Sequence, residues 1–353
     1  MRKLLCATAV AGLAGSAVLT GCGATPKQPA VPPRLTDDQL IKAAEPGVVA
    51  VQARAKYFKG EGTGFMVDDD HVLTAAHVVR GAAAITIRFS NGDRVSASIQ
   101  GRNDCRDQAL LKLANPEPDA VTLPLSADGP PAATSHLDLF DYGSNIQRFG
   151  HESMTTTSVQ VTNGNVRRPG MPLDLPAVSP LIQTGPGPRA GSSGAAMLTP
   201  DGAVAGMIIL GNQTDSMGYA IPASELRREL PALMSGDQHT SLGIDVLGVP
   251  QVDFAAFYGS QRLGNAVARY LRVTHQEGLF VTDVEQPSPA DDAHIAPGDV
   301  ITHVDGAPVR SMRGLCSVML STPAGHRITV QGVSMADDHH FLDTWKRTVR
   351  TSR

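Results

Sequence analysis

Leu73-Thr74-Ala75-Ala76-His77-Val78-Val79 places a histidine at the end of an apolar, small-residue stretch. Two later stretches give it partners: Asp107-Gln108-Ala109-Leu110-Leu111-Lys112-Leu113 and Gly191-Ser192-Ser193-Gly194. A serine hydroxyl is a poor nucleophile at neutral pH, so acyl transfer needs an imidazole to take its proton and a buried carboxylate to orient that imidazole. His77, Asp107 and Ser193 supply the three parts. Asp104 competes with Asp107 as the carboxylate, and the Gly-x-Ser-Gly frame selects Ser193 over Ser192. His71, directly after Asp68-Asp69-Asp70, reads as a solvated residue in an acidic turn.

Working outward, 353 residues suffice for two ordinary domains, and 42% hydrophobic with 18% charged residues argues for packed cores. With only 4% aromatic residues the cores rest on Val, Ile, Leu and Ala, and no stacking platform for nucleic acid is visible. A formal net charge of -4 without basic clusters gives no reason to expect nucleic acid as a partner.

At the N-terminus Arg2 and Lys3 precede an apolar run from Leu4 to Thr20, too short and too rich in Gly and Ala for a comfortable membrane span. This reads as an export signal over residues 1–21. It ends in Leu19-Thr20-Gly21-Cys22, which resembles the bacterial lipobox, so Cys22 is the expected lipid attachment site. Acyl chains there would hold the protein on a membrane's outer face, each buried methylene adding roughly 0.8 kcal/mol. Of the remaining cysteines, Cys6 lies in the signal, and Cys105 and Cys316 fall in separate domains. No intrachain disulfide is therefore expected, and Cys105 reads as a small apolar filler.

Residues 22–35, with Pro26, Pro29, Pro32 and Pro33, read as an extended tether. Thr36 and Gln39 have capping-box spacing for a short helix that Pro46-Gly47 would stop. Short strands follow at Val48–Ala53, Gly64–Val67, Ala84–Phe89, Val95–Gln100 and Ala109–Leu113, then at Thr155–Val161, Ala195–Leu198, Val204–Leu210 and Gly218–Pro222. Such a run suits a sandwich or barrel. A helix over Ser224–Met234 closes the first domain, 36–234. A second domain spans 236–335, and the polar residues 336–353 read as a fraying tail.

With these surroundings the His-Asp-Ser order is that of the chymotrypsin-like double barrel. Gly60-Glu61-Gly62-Thr63-Gly64-Phe65, the course from Ala84 to Leu113, and Gln183-Thr184 make the chain resemble the HtrA/Deg branch of trypsin-like serine proteases over most of 41–335. The resemblance implies a mainly β fold: a chymotrypsin-like double β-barrel followed by a smaller PDZ-type α+β domain. It implies Ser193 as nucleophile, His77 as base then acid, and Asp107 as orienter, with the backbone N–H groups of Gly191 and Ser193 as the oxyanion hole. Gly187, Ile208 and Ile209 would line the specificity pocket. The chain departs from the family at Gly194-Ala195 and at Gly185-Pro186-Gly187-Pro188-Arg189; no acid stands at Gly187, so cleavage after small or medium aliphatic residues is expected.

The second domain resembles a PDZ domain through Gly278-Leu279-Phe280-Val281, Ser288-Pro289-Ala290 and Ile295-Ala296-Pro297-Gly298-Asp299-Val300-Ile301. There a peptide adds a strand to a sheet edge and a glycine-containing loop captures its carboxylate. Ser241-Leu242-Gly243-Ile244 matches that loop, with Arg262-Leu263-Gly264-Asn265 as a rival. The resemblance implies a tethered, exported endopeptidase acting on unfolded proteins, with trimers formed through the protease domains. Rival readings are a holdase without turnover and a signalling protease that cuts one partner. No cofactor is called for, and His339-His340 beside Asp337-Asp338 reads as a solvated tail, not a metal site.

Overall fold

Thr36 and Gln39 form the reciprocal capping box their spacing predicts and open helix α1 (Asp37–Ala44); a 3₁₀ turn at Glu45–Gly47 ends it. The computed structural model describes residues 34–54, 59–143, 154–166, 180–212, 216–238, 240–334 and 343–351. The expected signal, Cys22, most of the tether and the His339-His340 pair lie outside the described residues.

Strands β1 (Val48–Arg54), β2 (Lys59–Met66) and β3 (His71–Thr74) lead through helix α2 (Ala76–Val79) to β4 (Ala84–Arg88), β5 (Arg94–Asn103) and β6 (Gln108–Leu113). They close a barrel in the order β1-β2-β3-β6-β5-β4, every pair antiparallel. The second barrel uses β7 (His136–Asp141), β8 (Thr155–Val166), β9 (Leu181–Gly185), β10 (Ala196–Leu198), β11 (Val204–Asn212) and β12 (Met217–Pro222), in the order β10-β11-β12-β9-β8-β7. Strand β7 was not evident from the sequence, because its alternation His136-Leu137-Asp138-Leu139 is short and follows a Pro- and Ala-rich stretch. One apolar cluster, with Phe65, Leu73, Leu110 and Leu111, fills the first barrel and continues through Phe140 and Tyr142 toward the second. A separate cluster of Leu137, Val159, Ile182, Met197 and Ile208 fills the second. Helix α3 (Ala223–Met234) returns to the first barrel, where Gly101 admits it: a Cβ there would stand 2.3 Å from the Leu233 carbonyl oxygen.

The remaining elements are β13 (Ile244–Gly248), α4 (Phe254–Tyr258), α5 (Gln261–Val273), β14 (Leu279–Val284), α6 (Pro289–Asp292), β15 (Val300–Val304), β16 (Ala307–Pro308), α7 (Met312–Met319), β17 (Arg327–Ser334) and β18 (Asp343–Arg350). The sheet runs β13-β14-β15-β17-β18, with β16 on β15, so β13 is an edge strand. The long stretch before β14 forms α4 and α5, whose Phe254, Val267 and Leu271 cluster with Phe280, Val300 and Val333. Phe254 meets Phe280 edge to face at 5.1 Å.

Three expectations are corrected. The final segment does not fray throughout: Asp343–Arg350 pairs along the whole of β17, and Val349, 1% exposed, joins the core. An alternating strand can be as polar as a tail when only one face is buried. Cys105 and Cys316 form a disulfide between the first barrel and α7, spanning 211 residues. Assigning the two cysteines to different domains overlooked that the domains touch there. His71 is buried, its Nδ1 2.9 Å from Asp68 and 2.7 Å from Asp70, because β3 carries it inward from the acidic turn.

Candidate active site

Helix α2 begins where β3 leaves the barrel wall and carries His77 in its first turn, with extended Ala75 as N-cap. Asp107 ends the turn between β5 and β6 at φ +51°, a left-handed conformation that a short polar residue tolerates. The two meet: Asp107 Oδ1 and Oδ2 lie 3.0 and 2.9 Å from His77 Nδ1, and Oδ1 also accepts from the His77 backbone N–H at 3.0 Å. The Asp107 side chain is 5% exposed and that of His77 39%, so the ring is gripped at Nδ1 and Nε2 is left for a reacting group. Burial alone would raise the Asp107 pKa; the charge and hydrogen bonds of His77, helped by Arg80, outweigh it and hold the carboxyl below its ordinary range. Asp104, the rival, turns instead to Arg102, 3.0 Å away.

The loop bearing Ser193 is tied to the first barrel. Thr63 donates its N–H to the Ser193 carbonyl at 2.8 Å and its Oγ1 hydroxyl to the Gly191 carbonyl at 3.0 Å. A Cβ on Gly194 would stand 2.0 Å from the Thr63 carbonyl oxygen and 3.1 Å from the Ala75 nitrogen, so glycine, at φ +87°, lets the loop press on the N-cap of the His77 helix. Ser193, half-buried, is thereby seated beside α2. Gly191 has φ +86°, and neither its N–H nor that of Ser193 donates to another backbone group among the described residues.

A charged support, missed in the sequence, lies beneath this loop. Asp141, 1% exposed at the end of β7, accepts from the Ser192 hydroxyl at 2.6 Å through Oδ2 and from Arg189 at 2.9 Å through Oδ1. Arg189 also donates to Thr155. One carboxylate therefore holds residues on both sides of Gly191. Only the placement of an acid in the inward pattern of β7 could have signalled it.

The expected pocket residues are dispersed by burial. Ile208 belongs to the core of the second barrel and Ile209 to the cluster continuing into the first, 1% and 3% exposed. Gly187 lies against the Met217 backbone, where a Cβ would be 2.7 Å from the Met217 carbonyl oxygen. Pro188 is buried between two glycines: a Cβ on Gly218 would stand 2.5 Å from its Cδ, and one on Gly211 2.8 Å from its Cγ. Asp68, Asp70 and His71 offer ligand atoms within 4.8 Å of one another, but they bond among themselves and Lys112 pairs with Asp70 at 3.1 Å.

Of the two candidate carboxylate loops, Arg262-Leu263-Gly264-Asn265 lies inside helix α5 and is thereby set aside. Ser241, Leu242, Gly243 and Ile244 form the turn into β13 and are all buried, with Gly243 at φ +72°.

Residues 62–207 match the model of the trypsin-like peptidase domain, and residues 252–333 that of the PDZ domain. The periplasmic serine endoprotease DegP of Escherichia coli is 27% identical over 280 residues, 77% of this chain and 54% of DegP. The periplasmic pH-dependent serine endoprotease DegQ of the same species is 27% identical over 281 residues, 78% of this chain and 56% of DegQ. This chain spans from about half to just under two thirds of the length of the curated relatives it matches. A solved structure of an alanine variant of the HtrA-type protease AlgW with a decapeptide aligns with 90% of this chain and 97% of its own, at 18% identity and TM-score 0.50, a likeness of fold alone. The chain thus carries a chymotrypsin-like pair of barrels of the trypsin-like peptidase type followed by a PDZ domain, and is similar in sequence to HtrA/DegP-type serine proteases.

Proposed function

We propose that this chain is an exported serine endopeptidase of the HtrA/DegP type that cleaves unfolded proteins. Ser193 attacks the scissile carbonyl, His77 takes its proton and returns it to the leaving amine, and Asp107 keeps the imidazole oriented. The N–H groups of Gly191 and Ser193 receive the developing oxyanion, each such donor worth roughly 10² to 10³ in rate. The observation that carries this reading is the two-point grip of Asp107 on His77 beside a serine loop bonded to Thr63. Small residues suit the primary pocket because Pro188 takes up space between Gly211 and Gly218. Cys22 lipidation would tether the enzyme to a membrane, the PDZ domain would bind peptide ends, and assembly through the protease domains would give trimers.

The test is covalent. A fluorophosphonate probe labels the wild type and not Ser193→Ala, and the wild type degrades unfolded casein while the variant does not. Absence of labelling from pH 6 to 9 would refute hydrolysis and favour a holdase; a single cut in one membrane partner with casein untouched would favour a signalling protease.

A further inference from the structure

The PDZ edge strand and its neighbouring helix meet a turn of the first barrel. Strand β13 pairs with β14 on one side only, and α7 packs beside it. Cys316 of α7 is bonded to Cys105, and Cys105, 1% exposed, belongs to the same apolar cluster as Leu242, Ile244, Leu315 and Met319. The flanking residues of the barrel turn engage the glycine loop itself. Arg102 donates to Ser241 and, at 3.1 Å, to Glu285, whose backbone N–H in turn donates to the Gly243 carbonyl. Thr240 donates its hydroxyl to Asn103 at 3.0 Å, and Arg80 pairs with Asp245 of β13.

We propose that the segment Arg102–Arg106 is an internal ligand of the PDZ groove, latched by the Cys105–Cys316 disulfide, and that reduction by a dithiol opens the groove to peptides with a free carboxylate. The peptide part of this inference rests on the function proposed above. A dithiol attacks one sulfur to give a mixed disulfide; its second thiol displaces that sulfur. Two electrons and two protons thus pass to Cys105 and Cys316 while the dithiol becomes a cyclic disulfide.

The rest of the seam is held by charged and polar side chains. Arg102 Nε pairs with Asp104 Oδ1 at 3.0 Å and Arg80 Nε lies 3.8 Å from the same oxygen, while Glu285 Oε1 is buried without a hydrogen-bond partner. The desolvation cost of such buried ion pairs offsets much of their attraction, so they add little to the hold of the disulfide. The latch also reads on the catalytic side. Cys105 and Asp107 share one turn, in which Arg106 and Asp107 donate to the carbonyls of Asn103 and Asp104, and Arg80, which pairs with Asp245, also acts on Asp107.

The experiment uses the full chain, oxidised and after dithiothreitol, with alkylation and mass mapping of Cys105 and Cys316. A fluorescein-labelled pool of decapeptides with randomised last four residues and a free carboxylate is titrated by polarisation, and amide hydrogen exchange is followed over 102–107 and 240–248. The latch predicts that reduction tightens binding at least tenfold and speeds exchange in both segments. Cys316→Ala should behave like the reduced wild type, and Arg102→Ala should loosen the oxidised seam without breaking the bond. Peptide binding that is measurable and equal in the oxidised and reduced forms, or exchange that does not change on reduction, would overturn the latch. If exchange rises and no peptide binds in any state, the latch stands and the peptide-binding reading fails.

Discussion

At the scale of single residues, two carboxylates govern the site. Asp107→Asn keeps the shape but no longer forces the donor onto His77 Nδ1, and turnover should fall by about 10⁴ with the fold retained, as active-site titration and circular dichroism together would show. Because the folded pKa of Asp107 lies below the unfolded value of about 3.9, its contribution to stability is complete above that value and is lost as pH falls through the folded pKa. The stability advantage of wild type over Asp107→Asn, read from urea unfolding, should therefore shrink as the pH falls below about 4. Asp141 acts through the loop and not on substrate. Asp141→Asn should cut kcat by about 10² to 10³ while KM changes little, the loss of one oxyanion donor. Its cost in stability should stay near 1 kcal/mol, since the Arg189 side chain it releases is 46% exposed and can be hydrated.

At the scale of elements, function lies in the turns that the barrels hold fixed. The turn between β5 and β6 delivers Asp107, the start of α2 delivers His77, and the loop after β9 delivers Gly191 and Ser193. In the function proposed above, Pro188 limits the primary pocket. Replacing it by Ala frees the space between Gly211 and Gly218, so kcat/KM for peptides with Leu before the scissile bond should rise roughly tenfold relative to Ala. An unchanged ratio would show that the pocket is set elsewhere. The proposed catalytic residues His77, Asp107 and Ser193 were legible because they sit in short, position-specific motifs. Asp141 was not, since a buried acid in an alternating strand looks like any exposed one until its Arg189 and Ser192 partners are seen.

At the scale of the whole molecule, the Cys105–Cys316 bond joins the first barrel to helix α7 of the PDZ domain across 211 residues. In the chain-entropy view such a loop closure stabilises by up to about 5 kcal/mol. Cys316→Ala should therefore unfold at lower urea, in two separated transitions read by the Trp345 fluorescence and by probe labelling; a single unshifted transition would mean the bond carries no load. The sequence by itself determined a run of short strands and the triad candidates, because these rest on local periodicity, turn residues and contiguous motifs, while the double barrel and the PDZ unit were what its resemblance to known families implied. It misread the disulfide, the burial of His71 and the strand at Asp343–Arg350. Only the tertiary structure decided those, since each depends on which distant surface lies opposite a residue, and chain-local pattern carries no information about that neighbour.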